Sequence, residues 1–149
     1  MESLNHELTP KLVDALYTEA MVLADEARSY FDRDPLSGAF PPDVSVAFSC
    51  ESLKVTTRLM HSIAWLLNQK ALRAGELSED DASSDVRDLG YAPASDDFQM
   101  GRFPAEAQEL IRASEDLYFR LQRVSTSMRR LNTSAPVPHM LRERLLQAF

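Results

Sequence analysis

The segment from residue 43 to residue 75, DVSVAFSCESLKVTTRLMHSIAWLLNQKALRAG, has the pattern of one long helix. It follows Pro41-Pro42 and ends at Ala74-Gly75, and a proline before a helix and a glycine after it are common boundary signals. We predict a helix over 43–74, which at 1.5 Å per residue is about 48 Å long. A helix of this length needs neighbours along its whole extent, so the segment indicates a bundle of helices.

Two more helical patterns flank this segment. Thr9-Pro10 predicts the start of a helix over 9–31, whose apolar side chains recur every three or four residues. A third helix, predicted over 104–132, has the most regular apolar stripe in the chain. The expected fold class is therefore all-α, an antiparallel three-helix bundle with long second and third helices that forms a single domain over 1–149.

The overall composition excludes several classes of protein. The 149 residues carry a net charge of −7 and 44% hydrophobic residues. An acidic chain lacks the surplus of cations that nucleic-acid binding requires, so we expect no nucleic-acid partner. The N-terminus has neither the basic nor the apolar region of a secretion signal, and no apolar run is long enough for a membrane span. These features predict a cytoplasmic protein that does not bind membranes.

Two segments fall outside the helical patterns. An acidic loop is predicted over 75–103, where eight acidic and two basic residues account for −6 of the net charge. We expect this loop to be mobile, with a short helix near Ser78–Leu89 as an option. A flexible C-terminal tail is predicted over 133–149, which holds Leu141, Leu145 and Phe149 at a spacing of four residues. This spacing suits a short helix that orders when it docks in a partner's groove.

The motifs of known enzyme chemistry are absent from the sequence. Cys50 and His61 lie on the same predicted helix about 16 Å apart along its axis, too far for a catalytic dyad. We interpret Cys50 as a small packing residue. The other histidines, His6 and His139, lie far from His61 in the sequence and form no spaced ligand pair. We therefore expect no catalytic residues, no cofactor and no metal site.

The second helix carries two apolar stripes. One must pack into the bundle, and the second repeats every seven residues with alanines beside it. The second stripe consists of Val46, Leu53, Met60, Ala64, Leu67 and Ala71. In one interpretation, both stripes pack against the first and third helices. In the other, the second stripe is a dimer seam, because its small residues let another helix come close.

A polar face lies between these stripes on the same helix. It consists of Glu51, Lys54, Arg58, His61 and Trp65. An indole among charged groups on a rigid helix is typical of a surface that contacts another protein, and this is the first interpretation. The alternative is that Trp65 folds inward at the edge of the core while the other four residues form a solvated strip.

The third helix carries a stripe of arginines opposite its apolar face. Its members are Arg112, Arg123 and Arg130. This stripe is interpreted either as a docking surface for an acidic partner or as a solubilising face balanced by nearby acidic residues.

Residues 46–67, VAFSCESLKVTTRLMHSIAWLL, resemble the signature helix of the alphaproteobacterial RcdA family, the regulators of CtrA degradation. Further similarity lies in residues 16–21 (LYTEAM), 74–77 (AGEL) and 101–104 (GRFP). The resemblance covers most of residues 12–132. The match over the second helix is specific, and the shorter ones support it.

The resemblance implies a three-helix bundle without catalytic activity, often dimeric, that acts as an adaptor for the ClpXP protease. It implies as partners a CpdR-like response regulator, a PopA-like protein in some lineages, and CtrA-like cargo delivered for timed degradation. Recruitment to a cell pole is a further expectation. The alternative is a helical dimerisation or structural module with no proteolytic role.

Overall fold

The computed structural model describes the backbone of residues 2–77 and 88–134, and the side chains within residues 10–77 and 88–128. Three long helices occupy most of these residues and pack against one another: α1 (Glu2–Asp32), α2 (Pro42–Arg73) and α3 (Ala105–Ser134). A single 3₁₀ turn, Met100–Arg102, precedes α3, and the described residues contain no strand. The predicted all-α, three-helix fold is confirmed.

Helix α1 buries the face that the spacing of its apolar residues predicts. Side chains three or four positions apart are less than a tenth exposed: Val13, Leu16, Ala20, Leu23, Ala27 and Tyr30. The predicted start at Thr9-Pro10 is wrong, because the helix already begins at Glu2 and includes Pro10. A proline inside a helix lacks the N–H that would bond one turn back, but it does not prevent the helix from continuing on both sides.

Helix α2 begins and ends within one residue of the predicted positions. Pro42 occupies its first turn, where the missing N–H is not needed, and Asp43 adds a negative charge at the positive end of the helix dipole. After Arg73, Gly75 adopts a positive φ of 76°, a conformation that glycine reaches without strain.

The core lies where the three helices meet. Leu66 of α2 is fully buried, as are Ile111, Leu117 and Leu121 of α3. At one end of the bundle, Phe48 stands edge-on to Phe31 of α1 and to Phe103 before α3, with ring centroids 5.5 and 5.4 Å apart. These edge-to-face contacts join the end of α1, the start of α2 and the entry to α3.

Ion pairs on the surface reinforce the packing of α1 against the other helices. Arg73 near the end of α2 donates to the Asp14 carboxylate at 2.8 Å and to the Pro10 carbonyl oxygen at 3.0 Å. The hydrogen bond from Arg73 is the main cause of the lowered pKa of Asp14. On α3, Arg120 donates to the Glu19 carboxylate of α1, and this bond raises the pKa of Arg120.

The second half of the predicted acidic loop differs from the expectation. Residues 88–103 are held against α2 and α3 by hydrogen bonds and by the buried side chains of Met100 and Phe103, so the prediction of a mobile loop is wrong for this part. The optional short helix near Ser78–Leu89 and the tail beyond residue 134 lie outside the described residues, apart from Asp88 and Leu89, which are not helical. Cys50 is exposed, so its interpretation as a packing residue is also wrong, because the second helix turns that position towards solvent.

Replacing Leu66 with alanine tests the position of the core. We expect Leu66→Ala to lower the free energy of unfolding by about 2–5 kcal/mol, because the lost side chain leaves a cavity among three helices. In Val22→Ala, at a position of α1 that is 53% exposed, the change should stay within about 0.5 kcal/mol. Chemical denaturation of both variants measures the difference, and equal losses would contradict this placement of the core.

Candidate protein-binding surface

Helix α2 presents three different faces to its surroundings. One face packs into the core through Val44, Phe48, Val55 and Leu66. A second face is polar and lies under the chain that leads to α3, and a third is apolar and exposed. The second and third faces contain most of the residues that the sequence singles out.

The apolar stripe of α2 is exposed. Its four large members, Val46, Leu53, Met60 and Leu67, are between 47% and 67% exposed. Ala64 beside them is exposed and Ala71 is half-buried. The interpretation that both apolar stripes pack within the bundle is therefore wrong, because α1 and α3 both lie on other sides of the helix. The stripe has the exposure that a dimer seam requires, and dimerisation itself stays a prediction.

The polar face of α2 is covered. Glu51, Arg58 and Trp65 are each less than 4% exposed, while Lys54 and His61 are half-buried. The prediction that this face is a wet contact surface is therefore wrong. Residues 88–98, which we call the strap, lie over it and contact it through hydrogen bonds that the next paragraphs describe.

Arg58 is the centre of the contact between α2 and the strap. Its Nε and Nη2 donate to the carbonyl oxygen of Pro93 at 3.2 and 2.9 Å, and Nη2 also donates to Ser95 Oγ at 2.7 Å. Its Nη1 donates to Ser114 Oγ of α3 at 3.1 Å. Ser114 in turn donates to the carbonyl oxygen of Ile111. One side chain thus joins α2, the strap and α3.

The guanidinium keeps its charge in this buried position. Burial lowers the pKa of Arg58, and the negative charges of Glu115 and Glu51 act in the opposite direction. An arginine remains protonated across the physiological range even so, because its ordinary pKa lies far above that range. A buried cation is tolerated only when hydrogen bonds replace its water, and the contacts to the strap and α3 do this.

Glu51 fastens the strap about two helical turns before Arg58. Its Oε1 accepts the backbone N–H of Asp96 at 3.0 Å and Lys54 Nζ at 3.1 Å. Hydrogen bonds to a carboxylate are stronger than those between neutral groups. Glu51 therefore holds the later part of the strap, while Arg58 holds its middle.

Tyr118 of α3 fastens the early part of the strap. Its hydroxyl donates to the Gly90 carbonyl oxygen at 2.6 Å and accepts the backbone N–H of Ala92 at 3.0 Å. Gly90 also lies against His61 so closely that an added Cβ would be 2.7 Å from His61 Nδ1. The absence of a side chain at position 90 is what lets the strap approach α2 here.

The sequence did not reveal the partners of the polar face, namely Pro93, Ser95, Asp96 and Ser114. One feature of the sequence could have identified Ser114 as such a partner. Ser114 is a small polar residue within the apolar stripe of α3 and is fully buried, and such a residue commonly faces a buried polar partner. The remaining partners are backbone groups or loop residues, which no spacing rule identifies.

The predicted arginine stripe is located only in part. Arg112 and Arg123 are exposed on α3, so both are accessible to a partner, and their role in binding stays a prediction. The side chain of Arg130 lies outside the described part of the structure. Within the described residues, no group of three or more His, Cys, Asp or Glu side chains is placed to hold a metal ion. A search of the same residues finds no helix long and apolar enough to span a membrane.

Three packed helices, with a strap over one face of α2 and an apolar stripe exposed on another, define an all-helical protein whose exposed surfaces suit contacts with other proteins. The chain belongs to the family described as "Protein of unknown function (DUF1465)", whose family model matches residues 4–149. Among solved structures, the chain is similar to RcdA from Caulobacter crescentus CB15, with 28% sequence identity and a TM-score of 0.64. That match covers 78% of this chain and 90% of the RcdA chain. No curated protein matches the chain. The resemblance to the RcdA family seen in the sequence is confirmed.

Removing the buried guanidinium tests its role in holding the strap. We expect Arg58→Met to lower the free energy of unfolding by about 3 kcal/mol, because three oxygen acceptors lose their donor. Backbone amides of the strap, such as those of Ala92 and Asp96, should exchange hydrogen faster. The control is Arg123→Met at an exposed position of α3, where stability should change by less than about 0.5 kcal/mol. Unchanged protection of the strap in Arg58→Met would contradict this role.

The contact between Gly90 and His61 gives a second test. Gly90→Ala is expected to destabilise the protein by about 1–3 kcal/mol, because the new methyl group meets the imidazole ring. In a His61→Ala background the same change should cost much less, and the double-mutant cycle measures the coupling. Gly101→Ala is the matched control, since an added Cβ there meets nothing within 4 Å. A cost at Gly90 that persists without the ring would refute the steric explanation.

Proposed function

We propose that this protein is a non-catalytic adaptor of regulated proteolysis, which binds cell-cycle regulators such as CtrA and helps deliver them to the ClpXP protease. The observation that carries the proposal is the similarity to RcdA over 78% of the chain. The exposed apolar stripe of α2 supports it, because large side chains left in water on a rigid helix are typical of a surface that binds another protein.

The mechanism is tethering. An adaptor that binds both a cargo and a protease component raises the effective concentration of one near the other, so weak contacts suffice. Such a protein needs at least two separate surfaces. The apolar stripe of α2 is one, and the exposed arginines of α3, Arg112 and Arg123, are the other, suited to an acidic partner.

The partners in this proposal are those that the RcdA resemblance implies. They are ClpXP, a CpdR-like response regulator, a PopA-like protein in some lineages, and CtrA-like cargo. The protein works in the cytoplasm and is recruited to a cell pole. The buried residues Glu51, Arg58 and Trp65 are not assigned a partner, because the strap occupies the space that a partner would need.

The stripe also supports a homodimer. Four large apolar residues repeat every seven positions, which is the spacing at which two helices pair along a seam. Ala64 and Ala71 beside the seam permit a close approach of the second helix. Burial of the exposed parts of these side chains would contribute favourably to such a pair.

A helical dimerisation module with no proteolytic role is the second candidate. The same stripe favours it, because a seam explains the exposed residues without any cargo. The two candidates differ in one measurable respect: only the adaptor shortens the lifetime of a cargo in the presence of ClpXP.

Charge placed in the stripe tests both the seam and the function. We expect Leu53→Glu/Met60→Glu to convert a dimer to a monomer, because two carboxylates would be desolvated at the seam. Sedimentation measures the oligomeric state. The control is Val22→Glu, which adds a charge at an exposed apolar position of α1 and should leave that state unchanged.

The wild type, Leu53→Glu/Met60→Glu and Val22→Glu are then compared in a degradation assay with ClpXP, the CpdR-like regulator and a CtrA-like cargo. The wild type should shorten the half-life of the cargo, and the control variant should match it. A cargo half-life that does not respond to the wild type, in an assay where the dimer forms, would favour the structural module over the adaptor.

A further inference from the structure

Two aromatic side chains on the strap are exposed to an unusual degree. Tyr91 is 82% exposed and Phe98 is 85% exposed. The other exposed large hydrophobic residues among the described ones range from 43% to 67%. Scattered apolar residues on a surface need no explanation, but aromatic rings are the side chains most enriched where proteins bind each other. Two of them on one short segment identify the strap as a feature of interest.

The backbone around Tyr91 is fixed from both sides. Tyr118 of α3 holds the Gly90 carbonyl oxygen at 2.6 Å and the Ala92 N–H at 3.0 Å. Ala92 is buried and Gly90 lies against His61. With both neighbours turned inward, the side chain of Tyr91 points outward from a rigid base. A ring that is already positioned loses little conformational entropy when it binds.

The backbone around Phe98 is fixed as well. The N–H of Phe98 donates to Asp96 Oδ1 at 2.9 Å, and the N–H of Asp96 donates to Glu51 at 3.0 Å. Two residues further on, Met100 is buried in the core. Phe98 therefore projects from a turn that is tied to the bundle on both sides of it.

The charged residues of the strap itself have one sign. Residues 88–98 contain three aspartates, at positions 88, 96 and 97, and no lysine or arginine. Asp96 and Asp97 are exposed directly before Phe98. A partner that covers Phe98 must therefore face two carboxylates, and cationic side chains around its apolar pocket would complement them.

We infer that the strap is a further docking surface, separate from the two named above, on which Tyr91 and Phe98 insert into apolar pockets of a protein whose pocket rim carries lysine or arginine. The Cα atoms of these two residues are at most about 25 Å apart, so one partner domain spans both. This surface is distinct from the apolar stripe. Arg58, under the strap, lies about 160° around α2 from Met60 of the stripe, so both surfaces are available at the same time.

The first experiment places a photoreactive benzoylphenylalanine in the full-length chain, at position 91 or at position 98, in cells of the native host. The controls carry it at positions 12 and 22 of α1, where Leu12 and Val22 are also exposed. The strap positions should cross-link to one protein far more strongly than the control positions do. The absence of any cross-link above the controls would overturn the proposal.

The second experiment measures the affinity of the cross-linked protein for purified variants. Tyr91→Ser/Phe98→Ser should weaken binding tenfold or more, because both aromatic anchors are lost. A tenfold loss of affinity corresponds to about 1.4 kcal/mol of binding free energy. Asp96→Asn/Asp97→Asn should weaken it less, and added salt should weaken the wild type but not this variant. The control Leu12→Ser/Val22→Ser should stay within about twofold of the wild type. An aromatic variant that binds as tightly as the wild type would overturn the proposal.

The identity of the cross-linked protein separates this inference from the proposed function. A protease component or a cargo protein agrees with both. A protein with no link to proteolysis, bound through the two rings, supports the strap surface and speaks against the adaptor. A cross-link to a second copy of this chain contradicts the strap inference, because the surface would then be a self-association site. Unfolding midpoints of all variants should match that of the wild type, because every replaced side chain is exposed.

Discussion

The guanidinium of Arg58 is a cation that the fold has removed from water, and the arrangement around α2 depends on how that cation is compensated. The Pro93 carbonyl oxygen and the hydroxyls of Ser95 and Ser114 replace its hydration. These acceptors come from two different parts of the chain. An uncompensated charge in the interior would cost several kcal/mol, so the strap and α3 must be in place whenever Arg58 is buried.

This requirement determines which side of α2 is left exposed. The strap covers Glu51 and Arg58, while the core takes up Trp65 and the face that contains Leu66. The large apolar residues of the stripe then remain in contact with solvent. Beside its apolar core face, this helix therefore buries two charged residues, Glu51 and Arg58, and exposes four large apolar ones. This arrangement is tolerated because hydrogen bonds compensate the Arg58 guanidinium and Oε1 of Glu51, and because exposed apolar side chains are common on protein surfaces.

The sequence predicts the helices well because helix formation depends on local spacing and on boundary residues. The apolar period of α1 and α3 and the signals at Pro42 and Gly75 are all contained within a few turns. It does not predict which face of α2 is exposed. Two stripes and one polar face are visible on the helix, but their exposure depends on residues more than thirty positions away, such as Pro93 and Ser114. Hydrophobicity alone also misleads here, since it favours burial of Leu53 and exposure of Arg58.

Because the chain's own strap covers one side of α2, the two sides of this helix are under different evolutionary constraints. Residues under the strap are constrained by folding, since a substitution there destabilises the bundle whether or not the protein binds a partner. Residues on the solvent side, such as Leu53 and Met60, escape that constraint, because their side chains are exposed. Lineages can therefore vary one side of this helix while inheriting the same bundle.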